Sequence, residues 1–287
     1  MGKEGKASGE FGYPYDVACS RHGLLYVADT DNNRVQVLRA DSGAFVCEFG
    51  KAGFGQTEFI GPQGVCLDDD MGLVFVTDSY NSRVQVFRQD TLAFVRSISV
   101  AGQGGQASQP YGVSCGAKGL LYVADYENHV VQVYEQESGT HVKTIGGNGV
   151  GSGDGEFYKP AGVLCTADGL LYVVDCFNNR VQVFRQDTHA YVRQFGSYGD
   201  ADGQFLYPQS VCRGSDGLIY VADTYNNRVQ VFTHDTGAFV RKFGSKGAEA
   251  GQFNLPFGIC CSESGVLYVS EYGNHRIQAI SLLHQQQ

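Results

Sequence analysis

The sequence predicts an all-β fold, a six-bladed β-propeller of four-stranded antiparallel blades, and three observations predict it. One design, read at residues 217–232 as GLIYVADTYNNRVQVF, is written six times, and its acid recurs at Asp29, Asp78, Asp125, Asp175, Asp223 and Glu271, 47 to 50 residues apart. A proline followed by a short apolar run stands upstream of each copy, at Pro14, Pro62, Pro110, Pro160, Pro208 and Pro256. Within each copy, two β-rich runs are split by turn residues, which leaves no room for a helix.

Taken in order, each unit supplies four strands. The run after the proline is strand a, Leu218 to Val221 exemplifies strand b, and Val229, Val231 and Phe232 exemplify strand c. Strand d follows in the first five units, at residues 44–49, 93–98, 140–145, 190–195 and 238–243. A four-stranded sheet cannot bury both faces alone, so the units must pack side by side and close into a ring. A solenoid is the competing repeat architecture, but its strands are parallel, and tight turns of this kind demand antiparallel pairing. Chain ends pose a closure question, because 23 clear strands are countable where six complete blades need 24. Either the sixth blade has three strands, or residues 281–287 form a short irregular edge. The seam there should be the weakest interface.

The run of Pro, Gly-Val, Leu-Tyr-Val-Ala-Asp, Asn-Arg-Val-Gln-Val-Phe, Phe-Gly and Gly-Gln-Phe resembles the NHL repeat over nearly the whole chain. That resemblance implies a six-bladed ring. It implies no single function, since similar rings bind proteins or RNA and a few are metal-dependent lyases or hydrolases.

One repeat type from residue 1 to residue 287 reads as a single domain. Net charge is −9 and Lys and Arg are scattered, whereas a nucleic-acid platform needs a basic patch, so RNA is the disfavoured partner. No apolar run is long enough to span a membrane, and the first ten residues lack the apolar centre of a secretory signal. The expectation is a cytoplasmic, monomeric ring. Six of the nine cysteines, Cys19, Cys66, Cys115, Cys165, Cys212 and Cys260, fall four or five residues after the prolines. Equivalent positions on different blades should not generally pair, and no zinc-type spacing occurs, so they read as small packing groups.

Polar groups repeated in every unit read as architecture, because an active site is normally built once. The acid ending strand b and the Arg five residues on, Arg34, Arg83, Arg180, Arg228 and Arg276, should bracket a turn, and Val130 breaks this pattern in the third unit. Gln36, Gln85, Gln132, Gln182, Gln230 and Gln278 should satisfy buried backbone. His129 and His275 occupy equivalent turns and read as solvent-facing. No catalytic, cofactor-binding or metal-ligating residue is assigned.

What remains is a surface. In a propeller the loops entering strand a and the b to c turns open on one face, around the channel mouth. There the chain places Tyr15, Gln63, Tyr111, Gln209 and Phe257 after the prolines, Asp16 where most units hold glycine, and Tyr80, Tyr126, Phe177, Tyr225 and Tyr272 in the turns. Aromatic side chains in turns are contact anchors, although half should pack on the proline loops. The expected function is a non-enzymatic scaffold whose mouth holds a protein or peptide. RNA binding and metal-assisted lysis or hydrolysis are the alternatives.

Overall fold

A computed structural model describes residues 1–102, 106–147 and 149–282. The first blade is built from β1 (Pro14–Cys19), β2 (Leu24–Asp29), β3 (Arg34–Arg39) and β4 (Phe45–Phe49), hydrogen-bonded in that order. Four more blades repeat it, running from β5 (Pro62–Asp68) to β8 (Phe94–Ser99), β9 (Pro110–Cys115) to β12 (His141–Ile145), β13 (Pro160–Cys165) to β16 (Tyr191–Phe195), and β17 (Ser210–Arg213) to β20 (Phe239–Phe243). Among the described residues the sixth contains β21 (Pro256–Cys261), β22 (Val266–Glu271) and β23 (Arg276–Ser281). Of the edge expected at residues 281–287, Ser281 ends β23 and residues 283–287 lie outside the described residues.

Alternation along the strands decides how blades meet. Six clusters of buried apolar side chains form, one between each pair of adjacent blades, such as Tyr172, Val183, Phe195, Phe205, Val221 and Phe232 between the fourth and fifth. The seam between sixth and first blades holds seven such residues where the other five junctions hold nine to eleven, making it the smallest contact among the described residues. Directional bonds offset part of this deficit. The Tyr268 hydroxyl donates to Ala40 O at 3.0 Å, Ser270 Oγ donates to Tyr15 O at 2.7 Å, and Met1 exchanges two main-chain bonds with Ile277 at 2.7 and 2.8 Å.

Strands β1, β5, β9, β13, β17 and β21 line the axis, each packed on the next around the ring. Glycine lets them close in. A Cβ on Gly112 would sit 2.5 Å from Ala161 O, and one on Gly162 would sit 2.6 Å from Gln209 O. The axial channel therefore narrows to a cavity of about 20 Å³ walled by residues of all six inner strands.

Candidate functional site: an aromatic channel mouth

The repeated acid, amide and arginine form one clamp per blade, and the clamp positions the mouth. In the first blade, Asp29 is fully buried; its Oδ1 accepts from Gly12 N at 2.6 Å, and its Oδ2 accepts from Arg34 Nε at 2.7 Å and Gln36 Nε2 at 3.0 Å. Arg34 and Gln36 in turn donate to Glu10 O. Asp78, Asp175, Asp223 and Glu271 repeat the arrangement with Arg83, Arg180, Arg228 and Arg276. The carboxylate and its arginine thus bracket the b to c turn, as expected, and the carboxylate also ties that hairpin to the loop entering strand a. The third blade departs from this clamp: Asp125 accepts from Gln109 N and from Asn128, Val130 faces it where the others have arginine, and Gln132 donates to Ala101 O instead.

Each b to c turn ends in a residue with left-handed backbone, at Asn33, Ser82, His129, Asn179, Asn227 and His275. Most of these side chains accept a hydrogen bond from the following interblade loop: Asn33 from Gly61 N, Asn179 from Tyr207 N, Asn227 from Leu255 N. The two histidines do the same work. His129 Nδ1 accepts from Lys159 N at 3.1 Å and His275 Nδ1 from Tyr13 N at 3.2 Å, so neither is simply the solvent-facing group expected. Burial, aided by the Lys159 ammonium, pushes His129 below its ordinary pKa, which suits a neutral acceptor.

Held by these locks, the turns and proline loops surround a mouth cavity of about 500 Å³. Tyr15, Gln63, Tyr80, Tyr111, Tyr126, Gln209, Tyr225, Phe257 and Tyr272 all line it, so nine of the eleven residues singled out converge. Ring contacts run unbroken across it. Phe177 meets Tyr126 at 6.1 Å, Tyr126 stacks on Tyr111 at 4.0 Å, Tyr111 meets Tyr15 at 5.6 Å, Tyr15 meets Phe257 at 4.7 Å, and Phe257 stacks on Tyr272 at 4.8 Å. Tyr207 joins Phe177 to Tyr225 at the far end. Tyr80 and Tyr225 are the most open of the group, at 59% and 52% exposure, whereas the other rings are half-buried against one another.

Three of the expected residues take different places. Gln63 and Gln209 are buried in the floor: Gln209 Oε1 accepts the Tyr15 hydroxyl at 3.1 Å, while Gln63 lies against the Tyr111 hydroxyl and its Oε1 has no partner among the described residues. Asp16 lies one layer deeper, in the axial cavity with Gly64, Gly112, Gly162 and Gly258. Its Oδ2 accepts from Val65 N at 3.1 Å, and desolvation in the constriction raises its pKa to about 7. Six further residues line the mouth that the sequence did not single out, Thr30, Asp31 and Asn33 in the first turn and Ile60, Gly61 and Leu255 before the prolines. Their positions in the repeat, beside the turn acid or just before the proline, are the signal that could have found them.

A larger cavity of about 950 Å³ opens on the opposite face at the seam. Arg21 on its wall reaches Asp70 at 2.5 Å and Asp69 and Glu263 at 3.8 Å each. Below the mouth, the thiols of Cys66 and Cys115 lie 3.4 Å apart on neighbouring inner strands. Equivalent strand positions come this close because the glycine-lined inner strands pack tightly, yet the two thiols stay unpaired as disulfides. All nine cysteines are free thiols, and among the described residues no three His, Cys, Asp or Glu side chains gather as a metal site.

Such a ring, closed on itself around a glycine-narrowed axis, is a β-propeller with an aromatic mouth on one face. The NHL repeat profile matches residues 11–38, 59–87 and 205–232, and the chain carries NHL repeats. No curated protein matches the sequence significantly. Among solved structures, a Bacteroides thetaiotaomicron protein of unknown function is similar with a TM-score of 0.73 and 19% identity, over 97% of this chain and 73% of that one. The inactive virginiamycin B lyase of Staphylococcus aureus with quinupristin gives 0.65 and 15%, over 94% and 84%. Hydrazine synthase of Kuenenia stuttgartiensis gives 0.67 and 12%, over 96% and 97%. At these identities the likeness concerns the fold, and two of the three are enzymes.

Proposed function

We propose that this propeller is a non-enzymatic recognition module that takes a protein or peptide segment on its channel mouth. The observation that carries the reading is the continuous arc of rings from Tyr225, half-exposed at one end, through Tyr111 and Tyr15 to the partly buried Tyr272. Rigid aromatic groups around a concave, partly desolvated centre are the usual anchors of a binding surface. RNA is less well served, because no Lys or Arg lines the mouth to neutralise a phosphate. A metal-assisted lyase like the enzymes of similar fold would need ligands converging near the axis, where Asp16 is the one acid lining the constriction among the described residues.

A photo-reactive phenylalanine analogue placed at Tyr80, at Tyr225 or, on the opposite face, at Lys118 tests this in the native cell. The expected result is cross-linked partner from the first two positions and none from Lys118. Cross-links from Lys118 alone would overturn the reading.

A further inference from the structure

We infer that the mouth selects a cationic side chain, a lysine or arginine projecting from the peptide it holds; this rests on the reading of the mouth as a recognition site. The first support is charge. Fifteen residues line the mouth cavity, and they include one carboxylate, Asp31, and no Lys or Arg. Seven of the fifteen are Tyr or Phe, whose ring faces attract a cation through their quadrupoles. An anionic side chain entering there would meet the Asp31 carboxylate and electron-rich ring faces. A purely apolar one would leave the polar floor unmatched.

The second support is that the chain already seats an ammonium on this aromatic arc. Lys159, outside the cavity lining, holds Nζ 4.6 Å from the Tyr126 ring centre and 5.9 Å from that of Phe177, with Glu127 at 3.1 Å as counter-ion. Ring face plus nearby carboxylate is a pairing that the cavity repeats at its rim, where the Asp31 carboxylate acts on Tyr272.

The test uses the whole protein and five capped pentapeptides, Ac-Gly-Gly-Xaa-Gly-Gly-amide, with lysine, arginine, acetyl-lysine, citrulline or glutamate at the centre. Binding is followed by nuclear magnetic resonance of the tyrosine rings. The lysine and arginine peptides should shift the Tyr80, Tyr111 and Tyr225 signals and bind at least tenfold more tightly than acetyl-lysine and citrulline, and Asp31→Asn should weaken the lysine peptide about threefold. Equal binding of the neutral peptides, tighter binding of the glutamate peptide, or no shift at these rings from any peptide would overturn the inference. Neutral peptides binding at these rings would sink charge selection alone, whereas the loss of cross-links from Tyr80 and Tyr225 would sink the mouth as a site.

Discussion

At the scale of single residues, the repeated polar groups and the unrepeated ones separate by what they touch. Each clamp arginine answers a buried carboxylate, so its removal strands a charge where water cannot reach it. Arg228→Leu should lower the unfolding free energy by about 3 kcal/mol in urea titrations, because Asp223 is fully buried and would lose its cation. A loss below about 0.5 kcal/mol would show that the clamp is ornamental. Asp16 behaves oppositely, being a carboxyl that the ring prefers neutral. Its pKa rises from 3.8 to about 7 on folding, so the stability gained from the neutral form is fully present below pH 3.8 and lost as pH climbs to 7. Wild type should therefore weaken relative to Asp16→Asn between those pH values, by at most about 4 kcal/mol since the carboxyl keeps contact with the small axial cavity. Parallel stability profiles for the two proteins would refute this. Sequence alone showed Asp16 as an exception to glycine, but not that the exception points into a constriction.

At the scale of elements, the strands were legible because period-two alternation and turn chemistry are local signals. The 23 counted strands are the 23 found among the described residues, where the sixth blade has three. Contacts between blades were not legible, since alternation says which way a side chain faces and nothing about what the next blade brings to meet it. For this reason His129 and His275 looked solvent-facing although each accepts a loop N–H, and nothing in the sequence told that Gln63 and Gln209 form the floor of the mouth or that the Cys66 and Cys115 sulfurs lie 3.4 Å apart. The glycines of the inner strands hold the same lesson. Gly112→Ala would force a Cβ to 2.5 Å from Ala161 O and 2.9 Å from the Gly162 Cα, which are main-chain atoms unable to swing aside. Thermal and urea unfolding should register a loss of about 2 kcal/mol or more; an unaffected variant would mean that the inner ring is looser than described.

At the scale of the whole molecule, a ring is only as firm as its seam. The sixth blade lacks a fourth strand among the described residues, its junction with the first has the smallest apolar cluster, and β23 is more exposed along its length than β3. Hydrogen exchange should therefore release the amides of β23 before those of β3 and the equivalent strand Arg180–Arg185. Equally slow exchange in all three would contradict a weak seam. Beyond closure, the central claim is a division of labour: what every blade repeats builds the ring, and the uneven aromatic mouth discriminates. One paired measurement tests it most directly, comparing melting temperature and capture of the cross-linked partner for Tyr80→Ala/Tyr225→Ala and for Arg228→Leu. The account predicts that the mouth variant melts as wild type yet loses capture, while the clamp variant melts lower yet captures normally when folded. Undiminished capture by the mouth variant would contradict it.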